Sequence, residues 1–387
     1  MTLTIKGENM QCVTPMFREY IEYTPEQKRQ LKEEGRKQYN KIIPRAEVAK
    51  QLIYEPNSLR SLNEINESLK ASGSPFRWQT IPCKNCWACK LNYSAEWATR
   101  ITCECKKSEH NYFVTLTYDE DHLPIADNIK IGDKIYENDG TIEWCEGTVW
   151  EPHMHKFIHD LRQYLDRKYG SQYDENGIRI NKMQYYYAAE YGETTHRPHY
   201  HIILMNCPLD LSQFREFHID ERKKLHWKTK ELEKFWTHGM IDVAEVEWSC
   251  AAYVARYCMK KLHDHSKSDE DYAKEGKLKE FVRMSRNIGR SYYEQNKEQI
   301  YSYDELIMKT VKGNTGSMKP PKAWDRLFEK EHPEAMDLIK QSRKEAAERS
   351  AELKRTLTDY TDLKMLEMAE VKFNKIAKQL PRIGEWD

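Results

Sequence analysis

The chain has 387 residues, 39% apolar and 32% charged, and its 24 Tyr, 10 Trp and 10 Phe supply ample core material. That balance excludes a disordered chain and fits one large domain or two smaller ones. Lys and Arg number 62, as do Asp and Glu, so the formal net charge is zero, which disfavours a globally basic DNA-coating protein but allows local basic faces.

In chain order, residues 1–80 read as a polar extension, with a helix expected over 23–42 and a loop at 68–77. The opening residues are polar and no stretch approaches eighteen apolar residues, so neither a signal peptide nor a membrane span is expected. A cysteine-rich segment, 81–110, turns helical from about Asn92, with Ala95, Ala98, Thr99 and Thr102 at helical spacing. Without secretion signals the ten cysteines point to metal binding or reduced thiols in a cytosol, rather than to a disulfide framework. A strand over 112–118 opens a core expected to run from 111 to 265. A polar insertion from Asp119 to about Glu151 follows, with a short hairpin expected around 133–142. Met154, Phe157, Ile158, Leu161 and Leu165 then give 151–169 one apolar helical face, which Gly170 can end.

Strands are expected over 183–192 and 199–205 with a turn between them, then a basic helical or loop-rich stretch closed by Gly239. A strand over 240–248 and a helix over 250–262 complete the core. A basic and aromatic segment occupies 266–318, and a helical region runs from 319 to 387 after Pro320 and Pro321. The order predicts an α+β fold, a small antiparallel sheet with helices on one face.

Two short patterns carry the chemistry. His199 and His201 are two apart on an apolar strand, so both side chains point to one face, with Ile203, while Tyr200, Ile202 and Leu204 take the other. Two neutral imidazoles in that relation can chelate one divalent ion, as phosphodiester chemistry requires. Glu190, on the preceding strand, is the expected third ligand, and Asp119 and Glu120 are lesser candidates. This mixed set favours Mg²⁺ or Mn²⁺ over a structural zinc. Tyr253 and Tyr257, spaced i,i+4, share one face of the expected helix, with Lys260 and Lys261 one turn beyond. A nearby ammonium stabilises a phenolate or the phosphate it attacks, so both tyrosines are candidate nucleophiles. Taken alone, each pattern is commonly structural.

Four stretches together resemble a known group: PCKNCWACKLNYSAEWATR, FVTLTY, EYGETTHRPHYHIIL and AYVARYCMKK, spanning about 83–261. The chain is similar to the replication initiators of microviruses, single-stranded DNA phages, and in particular of their gokushovirus branch, which are HUH endonucleases. The resemblance implies a nuclease core of ferredoxin-like or RRM-like type with helical extensions. It implies metal ligands at His199 and His201, nucleophiles at Tyr253 and Tyr257 with Lys260 as helper, and Thr115 and Thr117 facing the site. It further implies rolling-circle initiation in a host bacterial cytoplasm. One origin strand is nicked, the 5′ end stays attached to tyrosine, and the 3′ hydroxyl is left for a host polymerase before the displaced strand is circularised.

Cys83, Cys86 and Cys89, two residues apart in turn, could converge on a structural Zn²⁺ with Cys103 or Cys105 as a further ligand; an iron–sulfur cluster fits less well. Arg197, Lys223, Lys224, Arg283, Arg286 and Arg290 are candidate phosphate contacts, and Trp227, Tyr292 and Tyr293 candidate stacking platforms for single-stranded DNA. No phosphate-binding loop of helicase type is present, so strand separation would fall to supercoiling or a host helicase. The rival readings are a relaxase or transposase of the same chemistry and a non-catalytic, zinc-stabilised nucleic-acid-binding protein.

Overall fold

The computed structural model describes residues 16–43, 62–84, 86–137, 147–175, 177, 179–192, 195–220, 223–246, 268–309, 315–357 and 371. The described residues fall into two compact units, one within Met10–Lys90 and Tyr360–Gln379 and one within Leu91–Asp359.

In the first unit, β1 (Met16–Ile21) is the centre of a three-stranded antiparallel sheet, flanked by β2 (Asn40–Ile43) and β3 (Phe76–Ile81). The helix expected over 23–42 is shorter. Helix α1 (Pro25–Glu33) starts at a Thr24–Gln27 capping box, and the chain beyond it returns as β2. Helix α2 (Leu62–Ala71) is tied to β3 by Asn66, whose side chain accepts from Trp78 N–H and donates to Trp78 C=O.

The second unit is built on a seven-stranded antiparallel sheet. After helix α3 (Trp87–Cys105), its strands are β4 (Tyr112–Thr117), β7 (Gln184–Tyr191), β8 (Pro198–Met205), β9 (Phe214–Ile219), β10 (Leu225–Thr229), β11 (Ile241–Glu245) and β12 (Phe281–Met284). The spatial order is β12-β7-β8-β4-β11-β10-β9. The hairpin β5 (Asn128–Ile131) and β6 (Lys134–Glu137) lies a few residues earlier than 133–142. Helix α4 (Glu151–Tyr169) ends at Gly170 and buries Met154, Phe157, Ile158, Leu161 and Leu165, the face its spacing predicts. Each such side chain contributes about 1.5–3 kcal/mol of apolar burial, an upper estimate.

Period-two alternation gives the sheet two buried faces. Val114, Leu116, Tyr200, Ile202 and Leu204 pack with α4. Phe113, Tyr186, Ala188, Ile203 and Ala244 pack with Ala98 and Ile101 of α3. The architecture is α+β, a large antiparallel sheet flanked by helices, but helices cover both faces rather than one. The stretch 209–239 also departs from its reading as helical or loop-rich. It forms the hairpin β9–β10 and only the short helix α5 (Lys230–Glu233), because alternation in FREFHI and LHWKT outweighs its Lys and Glu content.

Beyond α5 come α6 (Asp269–Lys274), α7 (Arg290–Tyr303), the hairpin β13 (Leu306–Lys309) and β14 (Thr315–Met318), α8 (Lys322–Glu331) and α9 (Pro333–Leu357). Tyr293, Tyr301, Trp324 and Phe328 form a further core there. Gly239 meets a close approach: a Cβ at this position would collide with the backbone of Thr117 and Asp119. Its neighbours close the end of β4 through Thr117 N–H to Met240 C=O, 3.0 Å, and Asp119 N–H to His238 C=O, 2.9 Å. Among the described residues no helix is long and apolar enough to cross a membrane.

Candidate metal centre

Strands β7 and β8 pair antiparallel, and beyond their ends Gly192 N–H donates to Arg197 C=O at 3.0 Å. Glu190 pairs with His199 and Ala188 with His201; on the other side of β8, Thr117 pairs with His199 and Thr115 with His201. Directly opposed residues of an antiparallel pair point to the same face. Glu190, His199, His201, Thr115 and Thr117 therefore share one face, at the centre of the sheet.

One ligand atom from each of Glu190, His199 and His201 lies within 4.8 Å of the others. His199 Nε2 is 3.8 Å from Glu190 Oε2, and the two imidazole rings stand nearly perpendicular, centroids 4.9 Å apart. His199 Nδ1 lies 3.2 Å from the Arg197 carbonyl, which only accepts, so the proton sits on Nδ1 and the lone pair on Nε2 faces Glu190. His201 Nδ1 contacts Thr115 Oγ1 at 3.1 Å, and its ring stacks on Phe113. Glu190 and His201 are 2% and 3% exposed. Burial, reinforced by neighbouring His199, holds the His201 pKa well below the ordinary histidine range, so this imidazole is neutral and keeps a lone pair.

The donor set fits a divalent ion: two imidazoles with lone pairs, a buried carboxylate, and ring nitrogens already held by a backbone carbonyl and a hydroxyl. Thr117 Oγ1, buried opposite His199, has no hydrogen-bond partner within the protein among the described residues. Such an atom is costly to bury and suits a site completed by a ligand. Asp119 and Glu120 are engaged elsewhere, Asp119 with His122 Nδ1 at 2.6 Å and Glu120 in an ion pair with Arg197.

The other face of β8 anchors these residues. Tyr200, between the two histidines, is fully buried; Trp150 N–H donates to its hydroxyl at 2.7 Å, and Tyr118 Oη lies 3.0 Å away. Burial pushes the Tyr200 hydroxyl up to about 12, so it stays protonated. Beyond Tyr118, His153 and His238 stack with centroids 4.0 Å apart. Burial, with His238 and His122 nearby, lowers His153 to about 4. This stack escaped the sequence reading, since its members come from separate segments.

Cys83, Cys86 and Cys89 also converge, with Cys83 Sγ 4.0 Å from Cys89 Sγ and Cys86 N–H donating to Cys83 Sγ at 3.1 Å. Cys103 and Cys105 are not brought to this group. They lie at the far end of α3, Cys103 packed in the core of Tyr293 and Trp324, and burial raises both thiols to about 12. Among the DNA-contact candidates, Arg283 is held by Glu151 at 2.7 and 2.8 Å, Arg290 by Glu294, and Tyr293 is fully buried. Tyr292 stacks on Trp324 under Lys106, and Trp227 packs against Phe214. Tyr253, Tyr257, Lys260 and Lys261 lie outside the described residues.

Comparison with known proteins converges on replication proteins. The family of the replication-associated protein ORF2 matches residues 111–262, which contain the whole His–Glu group. Replication-associated protein ORF2 of Spiroplasma virus 4 is 34% identical over 307 residues, covering 78% of this chain and 85% of that protein. Replication-associated protein VP4 of Bdellovibrio phage phiMH2K is 27% identical over 255 residues, 66% of this chain and 69% of that protein. Replication-associated protein ORF4 of Chlamydia phage 1 is 27% identical over 232 residues, 59% and 48%. No solved structure matches.

Proposed function

Because the chain belongs to the phage replication-associated protein family, we propose that it nicks one strand at the replication origin of a phage genome by tyrosine attack. The observation that carries this reading is the buried convergence of Glu190, His199 and His201 on adjacent central strands. A divalent ion such as Mg²⁺ or Mn²⁺ held there would polarise a non-bridging phosphate oxygen and offset charge that develops in the transition state.

The protein's own residues do the rest. Glu190, the Nε2 of His199 and His201 would hold the ion against which the scissile phosphate is placed, with Thr115 and Arg197 C=O holding the rings. Tyr253 or Tyr257 supplies the nucleophile. Its oxygen bonds to phosphorus, the phosphorus–O3′ bond breaks, and the departing oxygen takes a proton to become a 3′ hydroxyl. Lys260 and Lys261 stabilise the phenolate. The phosphotyrosine retains the energy of the broken ester, so a later 3′ hydroxyl can attack it, release tyrosine and circularise the strand. Two tyrosines allow one to be occupied while the other acts. The nuclease core takes the single-stranded origin, host polymerase extends the free 3′ end, host helicase opens the duplex, and the setting is the host bacterial cytoplasm. Cys83, Cys86 and Cys89 would hold a structural Zn²⁺.

The test is cleavage of a labelled single-stranded origin oligonucleotide with Mn²⁺, with chelator, and by the His199→Ala/His201→Ala variant. Cleavage only in the first case supports the reading. Undiminished cleavage by the folded variant removes the metal centre from the mechanism.

A further inference from the structure

On the same face of the sheet, toward its β9 edge, stands a second group whose ligand atoms fall within 4.8 Å: His218 on β9, His226 on β10 and Asp242 on β11. Register places it. Asp242 pairs with Thr115, which pairs with His201, so Asp242 lies two strands along the row that contains the first centre. Two strand spacings separate His201 from Asp242 by about 10 Å, and the centres of the two groups lie about 16 Å apart. They are distinct, and no residue is shared.

The local geometry is that of a ligand set. His226 Nδ1 lies 2.8 Å from Asp242 Oδ2, His218 Nε2 lies 3.6 Å from the same oxygen, and the two rings are stacked 4.5 Å apart. Asp220, whose carboxylate accepts Lys224 N–H at 2.7 Å, presents its second oxygen 3.6 Å from His226 Nε2. A carboxylate behind a ligating histidine is the usual means of fixing its tautomer. The ladder between β9 and β10 shifts register at His226/Trp227, a bulge of the kind that re-aims a side chain. The backbone ladder between β10 and β11 is sparse here, with Trp227 and Val243 the registered pair among the described residues. The side-chain group bridges the three strands where their main-chain pairing is weakest. His226 is buried, whereas the His218 side chain is one-third exposed, so the group opens to solvent at the sheet edge.

We propose that His218 Nε2, His226 Nδ1 and Asp242 bind a second divalent transition-metal ion, which fastens the β9–β10 hairpin to β11. Binding replaces the proton on His226 Nδ1, leaves Asp220 to hold Nε2–H, and needs both imidazoles neutral. Imidazole-rich donors suit Co²⁺ and Zn²⁺.

The experiment uses the full chain with Co²⁺ as the probe, counted by equilibrium dialysis, in a His199→Ala/His201→Ala background that removes the first centre. Thiolate-bound Co²⁺ is followed separately by its charge-transfer absorption. Adding His218→Ala is expected to lose one Co²⁺ per chain with the thiolate band unchanged. Adding Asp242→Asn instead, which keeps size and a hydrogen-bond acceptor, is expected to cut the Co²⁺-induced rise in Tm to the part that the thiolate site supplies, the same as in the His218→Ala chain, while the metal-free circular dichroism stays unchanged. Equal Co²⁺ stoichiometry with and without His218 would overturn the proposal. So would an undiminished Tm increment in the Asp242→Asn chain; the group would then be an ion-paired histidine network only.

Discussion

The two histidine groups on one sheet face are built in opposite ways. The Glu190–His199–His201 group sits on β7 and β8, paired along eight registered positions, and β8 is tied to β4 on its other side. The His218–His226–Asp242 group sits at the edge, across a bulged hairpin and a sparse ladder. In the first, the backbone places the ligands and the side chains need only point inward. In the second, side chains from three strands meet where the backbone ladder is sparse. The proposed nicking chemistry needs a phosphate held in fixed geometry, which the first setting suits, because misplacement of about 1 Å can cost about 100-fold in rate.

Replacing the central ligands should have the largest effect. His199→Ala/His201→Ala is expected to lower the nicking rate by about 1,000-fold or more, the equivalent of several kcal/mol of lost charge stabilisation. A quenched-flow assay on the origin oligonucleotide checks it. Thr115→Val, which removes the hydroxyl on His201 Nδ1, should weaken Mn²⁺ activation about 10–100-fold while leaving the fold intact. A Mn²⁺ titration of nicking rate reads this effect, and an unchanged midpoint would mean that Thr115 does not orient His201. Tyr200→Phe tests the anchor on the reverse face. Loss of the hydroxyl leaves Trp150 N–H without its acceptor and should reduce stability by about 1–3 kcal/mol in urea melts. At the edge, removing His218 from the metal-free protein should matter least, within about 0–1 kcal/mol, since its pairing with Asp242 is partly solvated.

These contrasts explain how far the sequence could be read. His199-x-His201 lies within one strand, so period two alone put both rings on one face, and Glu190 followed from the short turn that pairs its strand with theirs. The α4 face and the four core strands were legible for the same reason, as periodic apolar residues with clear breaks. The edge group was not, because His218, His226 and Asp242 come from three strands, and two of these lay in a stretch whose charge reads as helix or loop. Cys103 shows the converse failure. Spacing grouped it with Cys83, Cys86 and Cys89, but helix α3 carries it into the core of Tyr293 and Trp324. Tyr293 likewise reads as a stacking platform in sequence and is a core residue in the fold, its hydroxyl donating to Glu331.

The His153–His238 stack adds a pH signature. His153 is lowered to about 4 in the folded protein, so between its ordinary value and 4 the unfolded chain binds more protons. Stability should therefore fall as pH drops from about 6.5 toward 4. His153→Gln should flatten that slope in melts at stepped pH.

The proposed chemistry has a metal-assisted tyrosine, not water, attack the phosphodiester. It is tested most directly by trapping the product of a single-stranded origin oligonucleotide with Mn²⁺ under denaturing conditions and mapping it by mass spectrometry. The expected result is a 5′-phosphate linked to Tyr253 or Tyr257, a free 3′ hydroxyl on the other fragment, and no adduct in the Tyr253→Phe/Tyr257→Phe variant. Cleavage by that double variant, or cleavage by the unaltered protein with no covalent adduct, would contradict it.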